Sequence, residues 1–162
     1  MVKLKKTWRE KMETTGQRNN LPKVVEIDDR MSQRWGTGTV IIPDPMEVDG
    51  IMRSVPEGKL ITINRIREKL ARKHGASIGC PITTGIFANM AARAAEEDVA
   101  AGKKDITPYW RTLKVGGVLS EKFPGGVEAQ AAKLKAEGHT ILPDRKGNPK
   151  KVKDFEGSLV EV

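Results

Sequence analysis

Apolar and polar residues follow helical spacing over the middle of the chain, and this pattern predicts consecutive helices. The first begins near Met46 and ends at Pro56-Glu57-Gly58; its apolar positions are Val48, Ile51, Met52 and Val55. The second follows Thr62, a good N-cap, and ends near His74-Gly75, where glycine can adopt the left-handed conformation. Pro81 suits the first turn of a third helix that runs to about Ala100. A helix, a turn and a helix are therefore expected between residues 62 and 100.

Strand patterns lie on both sides of these helices. Residues 24–27 and 38–42 are short β-branched runs bounded by Gly, Pro and Asp, which is typical of strands or extended segments. Residues 115–119 predict a hairpin tip, residues 127–137 a helix, and Lys146-Gly147-Asn148 the turn of a second hairpin. Together these elements indicate an α+β fold.

Composition narrows the class of protein. A chain of 162 residues is about one domain long, and its net charge of +8 with a pI near 9.7 favours a polyanionic partner. The single cysteine, Cys80, excludes an internal disulfide and is expected to be a small buried residue. No apolar stretch approaches the length of a membrane span or a signal peptide core, so we expect a cytoplasmic protein, associated with the nucleoid if prokaryotic.

Metal and cofactor motifs are not evident in the sequence. His74 and His139 are far apart, and no Cys, His or carboxylate cluster has metal-ligand spacing. Glycine-rich phosphate motifs are absent as well. We therefore expect neither a metal nor a cofactor.

The sequence Pro108-Tyr109-Trp110-Arg111 carries the most specific signal. It resembles the Pro-Cys-His-Arg active site of the O6-alkylguanine-DNA alkyltransferases, the methylated-DNA-protein-cysteine methyltransferase family. Three flanking segments also resemble the family: residues 57–63 before the second helix, Phe123-Pro124-Gly125-Gly126 in place of its aromatic-Ser-Gly-Gly loop, and Ala136-Glu137-Gly138 in place of its terminal Glu-Gly. The resemblance covers residues 49–143 and is to the alkyltransferase-like branch, in which the acceptor cysteine is replaced. It implies a winged-helix-like helix-turn-helix domain.

Domain organisation follows from this resemblance. Residues 46–162 are expected to form the alkyltransferase-like DNA-binding domain, and residues 1–45 a basic N-terminal extension with short extended segments. The first 23 residues are polar and basic, and a solvated or loosely packed arm is favoured over one that follows phosphates. The basic residues of this arm are Lys3, Lys5, Lys6, Arg9, Lys11 and Arg18.

The two substitutions in the motif remove the family's chemistry. A phenol with a pKa of about 10 is a poor nucleophile and an indole is not a base, so thiol-type alkyl transfer is excluded. The resemblance implies a lesion pocket formed by Pro108, Tyr109, Trp110, Phe123, Pro124, Gly125 and Gly126. Tyr109 could contact an extruded base there, with Trp110 at the histidine position; ordinary core packing is the alternative for both rings. Arg111 is expected to brace the structure, and Glu137 either accepts a hydrogen bond from Trp110 or is an exposed carboxylate.

The third predicted helix is the candidate recognition helix. Residues 82–95 are rich in small side chains, which suits either close docking in a minor groove or tight core packing. By the resemblance, the family's finger arginine falls on Thr84, or on Thr83 with a one-residue slip, and its phosphate-contacting tyrosine is replaced by Ile63. The expected DNA contacts are Thr62, Thr83, Thr84, Gly85, Ala88, Asn89, Arg93, Lys103, Lys104 and Lys114, with Arg67, Arg72 and Lys73 adding positive charge.

The resemblance and the basic charge lead to one functional prediction and two alternatives. The chain is expected to bind duplex DNA in the minor groove, as a monomer, and to recognise O6-alkylguanine or related damage without removing it. Nucleotide excision repair proteins are the expected partners. The first alternative is a general or regulatory helix-turn-helix DNA-binding protein without lesion recognition. The second is a base-directed enzyme that uses Tyr109 or Glu137.

Overall fold

The computed structural model describes residues 6–161, in which six α-helices alternate with seven short strands. The helices are α1 (Trp8–Arg18), α2 (Asp29–Trp35), α3 (Pro45–Arg53), α4 (Ile63–His74), α5 (Pro81–Ala100) and α6 (Gly126–Ala136). The strands are β1 (Lys23–Glu26), β2 (Thr39–Ile42), β3 (Ile61–Thr62), β4 (Ile78–Gly79), β5 (Thr112–Leu113), β6 (Ile141–Pro143) and β7 (Pro149–Val152). The expected α+β class is confirmed.

The strands form three small sheets. In the first, β2 pairs antiparallel with β1 and parallel with β4. Strands β3 and β5 pair in parallel, with Ile61 opposite Thr112. Strands β6 and β7 form the second predicted hairpin, with Ile141 opposite Val152. The β3–β5 pair places the start of α4 beside the chain that follows Tyr109-Trp110-Arg111, so two distant segments of the sequence meet there.

Local signals set the helix boundaries as expected. Asp44 and Glu47 form a capping box at the start of α3, and the Thr62 hydroxyl accepts a hydrogen bond from the Arg65 amide at the start of α4. Helix α4 ends at Gly75, whose φ of 66° is left-handed. Pro81 occupies the first turn of α5. The three predicted helices are therefore confirmed, as is the predicted helix near residues 127–137.

Helix α5 is the central element of the core and packs against α1, α3 and α4. Its inner face is made of small buried residues, among them Ala91, Ala92 and Ala95, which let the neighbouring helices approach closely. A second, smaller cluster lies around α6 and contains Leu60, Leu113, Leu119, Ala131, Leu134 and Val152. The ring of Trp110 packs against both clusters and so joins them.

The expectation of a solvated or loosely packed arm is wrong for residues 8–18. These residues form α1, which packs on α3 and α5 and buries Met12 completely. Arg9 forms a 2.9 Å ion pair with Asp98 on α5, and the backbone of Gly16 lies so close to Asp44 that a side chain would clash. This mostly polar segment is therefore a helix with one buried face, which contains Met12 and Gly16. Lys3 and Lys5 lie outside the described residues.

Membrane-spanning helices and metal-binding clusters are both absent from residues 6–161. No helix in that range has the length and apolar character to cross a membrane. Within the same range, no three His, Cys, Asp or Glu side chains are grouped so that they could hold a metal ion.

Candidate nucleic-acid interface

An open groove of about 760 Å³ lies between the first half of α5 and the segment that follows β5. A groove of this volume is large enough for a nucleobase. The α5 wall consists of Pro81, Ile82, Gly85, Ile86, Ala88 and Asn89, and Ile63 adds the first residue of α4. The opposite wall consists of Thr112, Leu113, Lys114, Val115, Val118, Ser120, Glu121, Lys122 and Phe123. Most of these side chains are apolar.

The helix wall arises from the outward face of α5. Ile82, Gly85, Ile86 and Asn89 are spaced by three or four positions and therefore share one face. Ile82 is 57% exposed and Ile86 is 50% exposed, which is unusual for isoleucine. Gly85 between them leaves open space beside its backbone. This face therefore presents the exposed side chains of Ile82 and Ile86 with open space at Gly85 between them.

The opposite wall is held in place by a short 3-10 turn at Val115–Gly117. Gly116 and Gly117 both adopt left-handed φ values, of 78° and 79°, and a side chain on Gly117 would overlap the Phe155 ring. The Lys114 amide closes the turn by donating a 2.8 Å hydrogen bond to the Val118 carbonyl. Val115 consequently projects from the tip and is 63% exposed. The expected hairpin tip is present.

Positive charge is concentrated beside this wall. Lys114 and Lys122 line the groove, and Glu121 between them forms a 3.2 Å ion pair with Lys114. The neighbouring strand β7 bridges to Val118 and carries Lys150 and Lys151. Two lysines and one acidic side chain therefore line the groove, and two more lysines lie on the adjacent strand.

Tyr109 lies in the core and does not line the groove. Its side chain is 1% exposed, its ring makes edge contacts with Trp110 and Phe123, and its hydroxyl donates a hydrogen bond to Glu96. Burial, together with the Glu96 carboxylate, raises the pKa of the Tyr109 phenol far above its ordinary value. The expectation that Tyr109 contacts an extruded base needs correction, because its ring is covered on all sides.

Trp110, Arg111 and Glu137 form a closed hydrogen-bond network. The indole N–H of Trp110 donates to Glu137 Oε2 at 2.8 Å, so the hydrogen bond expected between these residues is present. Arg111 donates to both carboxylate oxygens through Nε and Nη2, and its Nη1 donates to the Val55 carbonyl at 2.8 Å. The Gly58 amide also donates to Glu137. The network therefore joins three segments: residues 110–111, the segment after α3 and the end of α6.

The charge state of Glu137 follows from these contacts. Burial raises the pKa of this carboxyl, but the hydrogen bonds from Arg111, Trp110 and Gly58 outweigh burial and hold the pKa below its ordinary value. Glu137 is thus an anion at neutral pH with its acceptor sites occupied. The indole N–H of Trp110 is likewise committed to Glu137, which leaves it no free polar group for a base.

Gln130 connects this network to the groove wall, although no pattern in the sequence singles this residue out. This buried side chain accepts a 2.8 Å hydrogen bond from the Ser120 amide and donates to the Trp110 and Thr112 carbonyls. It therefore fixes the loop that carries Lys122 and Phe123. The Thr112 hydroxyl, on a groove-lining residue, is buried without a hydrogen-bond partner.

The remaining expected pocket residues divide into two groups. Phe123 lines the groove, whereas Pro108, Pro124, Gly125 and Gly126 do not. Gly125 instead provides the left-handed N-cap of α6. The expected pocket is therefore displaced toward α5 and the Lys114–Val118 turn.

Several expected DNA contacts also need correction. Thr84 is 0% exposed and faces the core, so it cannot reach a ligand. Thr62 is buried as the N-cap of α4. Thr83 is partly buried, its hydroxyl oxygen is covered, and it does not line the groove. Gly85, Ala88, Asn89 and Lys114 do line the groove.

The cationic residues at the other end of α5 lie far from the groove. Lys103 and Lys104 follow Ala100, about 27 Å along the helix axis from Ile82. Lys103 pairs with Asp98 at 3.5 Å. Arg93 is exposed on the groove side of the helix, one turn beyond Asn89, and lies over the Trp8 ring. Of the additional cations, Arg67 donates to the Gly79 carbonyl and Lys73 pairs with Glu47.

Comparison with solved structures shows a shared fold. The chain is similar to Schizosaccharomyces pombe Atl1, solved in complex with damaged DNA that contains O6-carboxymethylguanine, and to an S. pombe ATL–DNA complex. Each has a TM-score of 0.52 and 19% sequence identity, and each match covers 73% of this chain and 94% of the solved chain. No protein-family model and no curated protein sequence matches the chain. The expected fold is therefore confirmed by structure at low sequence identity.

Proposed function

We propose that this protein binds duplex DNA through the groove-bearing face of α5 and recognises O6-alkylguanine or a related damaged base without removing the adduct. The observation that carries the proposal is the lysine-flanked apolar groove of about 760 Å³ beside α5, in a fold shared with a protein solved on damaged DNA. Such a groove offers an apolar surface to a base and positive charge to the flanking phosphates.

The chemistry of the motif supports binding without covalent repair. An alkyl acceptor must be exposed and readily deprotonated, whereas Tyr109 is buried and the pKa of its phenol is raised. The base position is Trp110, whose only polar group is bound to Glu137. Glu137 itself is held as a paired anion by Arg111. The motif therefore serves as a rigid support for the groove wall, through Gln130 and the loop at 112–123.

The small residues of α5 support minor-groove docking. Gly85 lies on the exposed face of α5 and lets the helix backbone approach the floor of the DNA minor groove, which is only about 6 Å wide. The inner alanines meanwhile pack in the core. The two interpretations of this helix, DNA docking and core packing, thus apply to opposite faces.

A titration of matched duplexes tests the proposal. Fluorescence anisotropy would compare duplexes with O6-methylguanine, O6-carboxymethylguanine or plain guanine at one position, followed by intact-mass measurement of protein and DNA. The proposal predicts tighter binding to the modified duplexes and no mass change in either component. Equal affinity for all three duplexes would remove lesion recognition, and a mass gain on the protein would remove the non-covalent mechanism.

A second function, DNA binding without lesion recognition, is favoured by one observation. The position expected to carry the finger arginine is Thr84, and its side chain is buried. A protein without a residue to stabilise an extruded nucleotide could bind intact duplexes as a general or regulatory factor. Salt-sensitive binding that is equal for modified and plain duplexes would identify this function.

The cellular setting follows from the proposed function. A bound, unrepaired lesion must be passed to another pathway, and we propose nucleotide excision repair as the recipient, with this protein acting as a cytoplasmic or nucleoid-associated monomer. Co-purification of excision repair proteins that depends on alkylated DNA would test the proposed recipient pathway. Sedimentation with and without duplex would test the monomeric state.

A further inference from the structure

An exposed aliphatic pair on α5 stands where the DNA-facing surface would be expected to be polar. Ile82 and Ile86 lie one helical turn apart on the groove wall and are half or more exposed. Val99 is the other large aliphatic side chain of α5 that is similarly exposed, and it lies near the opposite end. The pair is therefore concentrated at the groove and not spread along the helix.

We propose that Ile82 and Ile86 form an apolar wedge that enters the base stack beside the recognised base and fills the space this base leaves. The inference rests on the proposed function and deepens it. Proteins that dock in the minor groove commonly insert isoleucine, leucine or similar side chains between base steps and partly unstack them. Thr84, at the position expected for a finger, faces the core and cannot serve this purpose.

The geometry of the pair fits a gap in a base stack. One removed base leaves a layer about 3.4 Å thick between its neighbours, which is close to the thickness of one aliphatic side chain. Side chains at positions i and i+4 of a helix are about 6 Å apart, so the two isoleucines would fill this layer side by side, in the plane of the missing base. Gly85 lies between them and presents open space, so the backbone of α5 can approach the duplex without obstruction. Val115 projects from the opposite wall and encloses the groove.

The surrounding charge favours DNA as the occupant. Lys114 and Lys122 line the groove beside the apolar pair, and Lys150 and Lys151 lie on the adjacent strand. An apolar strip bordered by cations matches a base stack bordered by phosphates. A wholly apolar protein surface would offer no counter-charge to Lys122 in the groove wall.

The experiment uses a duplex with 2-aminopurine placed next to O6-methylguanine, because this fluorophore brightens when it unstacks. The variants are Ile82→Ala combined with Ile86→Ala, the conservative pair Ile82→Leu with Ile86→Leu, and Val99→Ala as a matched control on the same helix. All replaced side chains are exposed, and thermal unfolding would verify that each variant is folded. Affinity and fluorescence are measured together.

The wedge predicts that the wild-type protein brightens the probe and that the double alanine variant loses most of this increase and roughly tenfold in affinity. The leucine pair and Val99→Ala are expected to behave like the wild type. A double alanine variant that still prefers the lesion and still brightens the probe as the wild type does would overturn the wedge and leave the proposed function intact. A wild-type protein that binds no DNA would overturn both the wedge and the proposed function.

Discussion

The indole N–H of Trp110 donates a 2.8 Å hydrogen bond to the carboxylate of Glu137, which Arg111 also holds with a bidentate contact. These contacts form a closed clamp between the end of α6, the segment after α3 and the groove wall. The clamp holds the groove wall in place and leaves Glu137 with no free acceptor site.

Replacement of Glu137 by Gln should destabilise the protein by roughly 3 kcal/mol at neutral pH, because Arg111 would be left buried without its anion. The pKa of Glu137 is lowered in the folded state, so its contribution is fully present above the ordinary value of 4.5 and is lost as the pH falls below it. The difference between wild type and variant should therefore shrink at low pH. Urea unfolding between pH 3 and pH 7 measures this.

Glu128→Gln is the matched control for that series, since Glu128 is exposed in the first turn of the same helix. Its effect should stay below about 1 kcal/mol. An equal, pH-independent loss of stability in both variants would show that Glu137 is an ordinary surface carboxylate.

Replacement of Tyr109 by Phe should cost about 1 to 2 kcal/mol of stability, since it removes the hydroxyl that donates to Glu96. DNA affinity should not change, because the ring does not line the groove. Calorimetric melting and anisotropy measure the two quantities. Loss of lesion preference with unchanged stability would instead place the hydroxyl in contact with the base.

Lys122→Ala should weaken DNA binding and reduce the slope of log affinity against log salt by about 0.9, as expected for one lost phosphate contact. Lys122 lies in the groove wall, whereas the control Lys104→Ala changes a lysine beyond the far end of α5. The control should leave the slope unchanged. A larger change in affinity and salt slope for Lys104→Ala than for Lys122→Ala would instead place the interface at the C-terminal end of α5.

Gly85→Ala should stabilise the protein by about 0.5 to 1 kcal/mol, because alanine favours a helix and there is open space beside this glycine. The added methyl should nevertheless weaken DNA binding if the backbone of α5 docks closely on the duplex. Gly50→Ala in α3 also has open space and should give the stability gain alone. Equal DNA affinity for both variants would contradict close docking at Gly85.

Local chemistry made much of the fold predictable from sequence. Thr62, Gly75 and Pro81 act on neighbouring backbone atoms, so their positions alone indicate where α4 and α5 begin or end. Helix α1 carries the same kind of signal, a capping box formed by Thr7 and Glu10, although its polar composition favours a solvated arm. Its buried stripe rests on Met12 and Gly16, too few residues for a clear periodic pattern.

The site was less predictable because it depends on which face of α5 is covered. The inner face of α5 carries mainly alanines and the outer face carries two isoleucines, so hydrophobic spacing does not distinguish the inner face from the outer face. Polar Thr84 was expected outside and is inside, whereas Ile82 and Ile86 are outside. Packing against α1, α3 and α4 decides this orientation, and those contacts join residues far apart in the sequence.

The most direct test of the central claim is the affinity ratio between duplexes with O6-methylguanine and with guanine, measured over a range of salt concentrations. We predict that affinity for both duplexes falls steeply with salt while the preference for the modified duplex persists, because phosphate contacts and base recognition are separate contributions. A ratio of one at every salt concentration would contradict lesion recognition by this groove.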